Sequence, residues 1–250
     1  MTWLASFMWP FIRIGAMFSA APIFSARSVP VRMRVLLSVL IAWMIMPLIP
    51  AMPAVDLISA ESIVISIYQV FIGLAMGFIL QMVYSAFVIA GQSIAMAMGL
   101  GFASIIDPQN GVQVPVVSQV LLVMVTLIFL SLNGHLMLIQ MMVDSFTSLP
   151  VGLILPSTDS LWQIVSWAST MFAGGMLIAL PAVAALLLVN IAFGVTARAA
   201  PQLNIFAVGF PVMLMVGLVF FILILPTITD HLSSLLTQAF ELMKRYIVSA

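Results

Sequence analysis

The 250 residues are 64% hydrophobic and only 6% charged, with a mean hydropathy of +1.32, where soluble domains run at roughly 45–50% apolar and about 25% charged. Seven basic and seven acidic side chains cancel, which argues against nucleic acid or an acidic polymer as a partner; with no cysteine, a disulfide framework and a thiolate metal site are excluded. The remaining class is an all-α integral membrane protein, because the apolar runs are continuous and lack the period-two alternation of a β-barrel.

The first apolar run, residues 3–24, lacks a basic n-region and contains Pro10 and Arg13, so it is expected to stay as a helix rather than be cleaved as a signal peptide. Trp3 and Trp9 suit a membrane interface. Arg13 lies well inside the run; it either snorkels, sits in a carbonyl-rich pocket between helices, or pairs with a charge on a partner subunit. Arg27, Arg32 and Arg34 surround Pro30, and the positive-inside rule puts this basic loop in the cytoplasm. A short second span, about residues 35–49, closes on Pro47, Pro50 and Pro53. The loop after it carries Asp56 and Glu61 without Lys or Arg, as an outside loop should.

The third run, about residues 63–90, would extend about 40 Å as a helix against a hydrocarbon core of about 30 Å. It is expected to tilt, kink or project from the membrane. Along it Gln69, Gly73, Gly77, Gln81 and Ser85 recur every fourth residue, which places small and polar groups on one face. Such a stripe either packs helices, with Gly73 and Gly77 as a GxxxG, or lines a wet lumen.

Residues 91–119 then interrupt the apolar pattern with Gln92, Ser104, Asp107, Gln109, Asn110 and Gln113 and with glycine at 91, 99, 101 and 111. Pro108 and Pro115 remove backbone donors and disfavour helix at the residues before them. Polar, irregular chain cannot face lipid, where each unsatisfied backbone group costs several kcal/mol. It must sit in water, in protein, or along a cavity that both enclose. Gly99 and Gly101 are candidate hinges. Met96 and Met98 stand just before the segment, in a chain with 20 methionines; they either fill core or form a deformable seal.

The fourth run, about residues 116–142, is expected to break at Asn133-Gly134-His135. A lone histidine with no second ligand at metal spacing reads as structural. Asp144 and Asp159 bracket an acidic outside loop, and Trp162 and Trp167 mark the return to the membrane. The fifth run, about residues 164–196, is over-long and should kink near Pro181. Arg198 brings the chain back to the cytoplasmic side. The sixth span covers about residues 205–225. Beyond Pro226, Leu232, Leu235, Leu236, Ala239, Phe240, Met243 and Ile247 line one face of an amphipathic tail, expected to lie in the interface or, because its polar face is poor in Lys and Arg, to pack on a neighbouring subunit.

No GxSxG, Walker, HExxH or CxxC sequence and no paired intramembrane carboxylates occur, so neither a cofactor nor a catalytic or metal site is expected. A stand-alone secondary transporter with broken helices is the reading from another class. An intramembrane enzyme would have to rely on His135 or Asp107.

The stretches SARSVPVRMRVLLS, DPQNGVQVPVVSQ, LNGHLMLIQMMVDSFTSLPVG and ALPAVAALLLVNIAFGVTARAAPQLNIFAVGFP closely resemble the FliR/SctT family of type III secretion export-gate subunits, from about Phe11 to the last span. The resemblance implies a structural, pore-forming subunit of the flagellar gate, with the injectisome counterpart as the alternative. It implies assembly with FliP and FliQ, with FlhB and FlhA nearby, in the bacterial inner membrane at the flagellar basal body. Unfolded export substrates would be the cargo. It also implies a FliP-like half, about residues 1–160, followed by a FliQ-like half, about 161–250, made of kinked helical hairpins lifted partly out of the bilayer. The family's plug loop maps within residues 104–115, onto Ile106, Asp107, Pro108, Gln109, Asn110, Gly111, Val112, Gln113, Val114 and Pro115. The family's methionine gasket is mostly supplied by FliP.

Overall fold

The computed structural model describes residues 2–26, 28–50, 55, 59–100, 115–153, 157–199 and 205–248, and every regular element among them is helical. In chain order these are α1 (Thr2–Ala20), α2 (Val31–Ile45) with a 3-10 turn (Met46–Leu48), α3 (Ala60–Ala97), α4 (Val116–Ser131), α5 (Gly134–Ser148), α6 (Thr158–Ser166), α7 (Ala168–Ala199), α8 (Ile205–Ile224) with a second 3-10 turn (Leu225–Thr227), and α9 (Ile228–Val248). Among the described residues four stretches are long and apolar enough to cross a membrane: Val31–Leu48, Ala60–Ala97, Thr158–Ala199 and Val208–Tyr246. The bent pair α4–α5 makes a fifth.

α1 forms as expected but is not among these stretches. Arg13, Pro10 and two tryptophans dilute it, and it buries Trp9, Arg13, Ile14, Met17 and Phe18 completely within the chain. Trp9 is therefore a core residue, not the interface residue its type suggested. α3 runs 38 residues without a break and contains no proline. Pro181 is carried inside the continuous α7.

The break between α4 and α5 falls where Asn133-Gly134 stands, and the two helices bend by 65°. Asn133 takes the left-handed conformation (φ 55°), which Asn tolerates better than most residues. Gly134 leaves room for the Phe129 ring, since a Cβ there would lie 2.5 Å from it. After α1 the chain turns back through residues 21–30, and Arg34 holds that turn by donating from Nη2 to the carbonyls of Ser25, Ala26 and Val29 at 2.9–3.1 Å.

The chain divides into two compact units, residues 1–83, 129–168 and 236–250 in one and 84–128 and 169–235 in the other. In the first, α1 packs on the N-terminal part of α3. A Cβ at Gly73 would collide with the Arg13 carbonyl, and one at Gly77 would lie 2.6–2.7 Å from Ala20 and the Met17 carbonyl. In the second, the C-terminal part of α3 meets α7, where a Cβ on Gly175 would lie 2.7 Å from the Ala86 carbonyl. The amphipathic tail does not wait for a neighbour. Leu232, Leu235, Leu236, Ala239, Phe240 and Met243 are buried within this chain, and Leu235 packs over Gly174, where a Cβ would come within 3.1 Å.

Candidate functional site

Residues 106–114 of the expected plug, and Gly101, lie outside the described residues; Pro115 is the one member of the plug that is described. The structure does describe the base from which that segment is hung. α3 ends in a Schellman turn: Gly99 has φ +81°, its N–H donates to the Met96 carbonyl at 3.0 Å, and the Leu100 N–H donates to Ala95 at 3.0 Å. A glycine takes this conformation without the steric cost that a Cβ imposes. Gly99, expected as a hinge, is thus the terminator that turns the chain out of α3. On the other side Pro115 precedes the first residue of α4, and its carbonyl accepts from the Gln119 N–H at 3.1 Å.

Just inside these ends the two helices touch backbone to backbone. A Cβ on Gly91 would sit 2.5 Å from the Ser118 Cα, and the Ser118 hydroxyl donates to the Val88 carbonyl at 3.3 Å. Small-residue contacts of this kind let apolar helices approach closely where no hydrophobic force between helices exists. α8 closes the same end: Met98 lies across Gly217, whose added Cβ would come within 2.8 Å of the Met98 sulfur. The two methionines part here, Met98 being 5% exposed and Met96 62%. Met98 fills the gap between α3 and α8, and Met96 faces away from this unit.

The α3 stripe is likewise divided. Gln69 is buried and its Oε1 accepts from Arg13 Nε at 2.7 Å, and Gly73 and Gly77 press on α1. Gln81 and Ser85 are half-exposed. Arg13 is fully buried, and its other nitrogens donate to the Ser145 carbonyl and hydroxyl at 3.0 Å and to the Leu149 carbonyl at 2.9 Å. Its guanidinium also lies 4.1 Å over the Phe146 ring. The cation sits at the C-terminus of α5, where the helix dipole and free carbonyls favour positive charge. Of the three readings its sequence position allowed, the carbonyl-rich pocket is the one that forms.

Sequence reasoning missed Ser118 and Gly217 at the base, and Ser145, Phe146 and Leu149 around Arg13. Gly91 and Ser118 carried a signal, two small residues close to either end of the polar segment. Nothing in the order of residues linked Arg13 to the end of a helix more than a hundred positions away. His135 lies half-buried in the first turn of α5. Among the described residues no group of three His, Asp or Glu is placed to hold a metal ion.

The family described as "Bacterial export proteins, family 1" matches this chain over residues 4–239. The chain is 36% identical over 243 residues to the flagellar biosynthetic protein FliR of Escherichia coli strain K12, an alignment covering 97% of this chain and 93% of that protein. It is 35% identical to the protein of the same name from Pectobacterium carotovorum over 241 residues, 96% of this chain and 92% of the relative. The corresponding protein of Bacillus subtilis strain 168 is 31% identical over 245 residues, 97% and 94% of the two chains.

Proposed function

The chain belongs to the bacterial export proteins, family 1, and from that membership we propose that it is a structural, pore-forming subunit of the flagellar type III export gate in the bacterial inner membrane. In this reading it is not an enzyme. It assembles with FliP and FliQ, with FlhB and FlhA nearby, its first part in a FliP-like and its last part in a FliQ-like role. Residues 106–115 occlude the conduit until unfolded substrate arrives.

The observation that carries the reading is the base of the 101–114 segment. Fourteen residues, rich in glycine and polar groups, are hung from two helix ends clamped together at Gly91 and Ser118. A clamp of that kind fixes the two points between which the segment is strung, which is what a plug that must return to one place requires. Large apolar side chains exposed along α3, α7 and α8, such as Phe78, Leu188 and Leu223, supply surfaces for lipid and for neighbouring gate subunits. No nucleotide-binding motif is present in the sequence, so the energy for export comes from elsewhere.

The test is to delete residues 110–114 in the assembled gate and measure ion conductance across the membrane. Raised leakage is expected. Unchanged conductance together with unchanged export would remove the plug from residues 106–115, and co-purification of the tagged chain without FliP and FliQ would remove the gate itself.

A further inference from the structure

In the first unit α5 and α9 enclose a groove of about 420 Å³. Its walls have the same spacing: Met137, Gln140, Met141 and Asp144 on α5, Thr237, Phe240, Glu241 and Lys244 on α9. Each set runs i, i+3, i+4, i+7, one face of two helical turns, so the groove is about 10 Å long. Its floor is apolar, with Met141 and Phe240 buried, while Asp144, Glu241 and Lys244 stand exposed at the rim. Three of the chain's 14 charged groups (seven basic plus seven acidic) therefore meet in one short groove.

The rim charges do not neutralise one another. Two carboxylates face one ammonium, and among the described residues none of the three side chains has an ion pair or a hydrogen bond. Hydrocarbon is excluded as the occupant, because a charge facing the bilayer core costs at least about 2.5 kcal/mol. The three charges that line the groove sum to −1, which favours a cation there over a phosphate; Arg245, exposed one turn beyond Glu241, is not among the lining residues. The two-turn length and the thioether and aromatic floor fit a helix turn that brings apolar side chains with it.

We propose that this groove docks a short helical segment of a partner protein subunit, which places an Arg or Lys between Asp144 and Glu241 and an apolar side chain over Met137 and Met141. The inference rests on the chain being a subunit of a larger assembly, as proposed above. It is independent of whether residues 106–115 act as a plug.

The test uses the assembled, detergent-extracted complex with a benzophenone amino acid at position 137. The expected cross-link is to another chain, at a peptide with an Arg or Lys within one turn of the linked residue. The double charge reversal Asp144→Lys/Glu241→Lys, at exposed positions that leave the fold intact, should lower recovery of that chain at least tenfold. Reversing the partner's basic residue to Glu should restore it. Cross-links confined to lipid or to this chain itself would overturn the proposal. So would full recovery of the partner with both carboxylates reversed, whatever the conductance of the plug deletion turns out to be.

Discussion

Replacing Arg13 with methionine keeps the length of the side chain and removes every hydrogen-bond donor it brings to the junction of α1, α3 and α5. Four hydrogen bonds disappear, to Gln69 Oε1, to the Ser145 carbonyl and hydroxyl, and to the Leu149 carbonyl. The contact with the Phe146 ring goes with them. At about 2 kcal/mol for each charge-assisted bond and about 1–2 for the cation–π contact, the loss is roughly 9–10 kcal/mol. Against it stands the effective cost of burying the guanidinium, about 5 kcal/mol after relaxation. The net is a destabilisation of about 4 kcal/mol. Counting the orphans leads to a similar figure: the Ser145 hydroxyl keeps its bond to Met142 and the Ser145 carbonyl keeps the Leu149 N–H, leaving two acceptors, Gln69 Oε1 and the Leu149 carbonyl, stranded at about 2 kcal/mol each. Lysine, with one compact head, can serve fewer of these acceptors and should lose about half as much. Pairing Arg13→Met with Gln69→Met removes one stranded acceptor, so the double variant should be about 1–2 kcal/mol more stable than the sum of the two single losses. Denaturant titration of the detergent-solubilised chain measures all four. An Arg13→Met variant within about 0.5 kcal/mol of the parent, or strict additivity in the cycle, would refute the idea that the clamp holds this junction.

Two glycine substitutions separate close packing from open space in the second unit. Gly91→Ala pushes a methyl group into the Ser118 backbone and should cost about 1–3 kcal/mol by forcing α3 and α4 apart; thermal unfolding of the purified chain reads it, and an unchanged midpoint would show that the helices do not meet there. Gly194→Ala adds a methyl group where no atom lies within 4 Å, and in a helix interior it should stabilise the isolated chain by about 0.5–1 kcal/mol. The same midpoint decides it, a fall being the contrary result.

The membrane class, the break at Asn133-Gly134 and the interruption after α3 were legible because each rests on local chemistry: hydropathy, a left-handed turn, a run of polar and glycine residues. The covering of the amphipathic tail was not. An apolar stripe at helical spacing says that a face will be buried, not by which chain, and only Leu235 over Gly174 places that part of the tail on its own α7. Arg13 was similar. Its burial could be anticipated from position, but its partners come from Gln69 and from the end of α5, and their convergence is a property of the packed helices. At the candidate site the clamp residues Gly91 and Ser118 were visible only as small side chains. Their contact depends on the antiparallel register of α3 and α4, which no periodicity within either helix specifies.

The length of α3 provides the physical reason for expecting an assembly. Thirty-eight residues have a contour of about 57 Å. To fit wholly within about 30 Å of hydrocarbon the helix would have to lean by about 58°, beyond the range of about 0–40° seen for membrane helices. Even at 40° it rises about 44 Å, so about 14 Å along the membrane normal, or roughly twelve residues, must lie outside the hydrocarbon. Either end would then bring exposed apolar side chains out with it, Ile63 and Ile67 at one and Met96 at the other. Water is a poor neighbour for such a surface, at about 25 cal/mol for each Å² left uncovered. A helix too long for the bilayer and apolar at both extremities therefore favours other protein around the part that protrudes, which the proposed assembly with further subunits would supply.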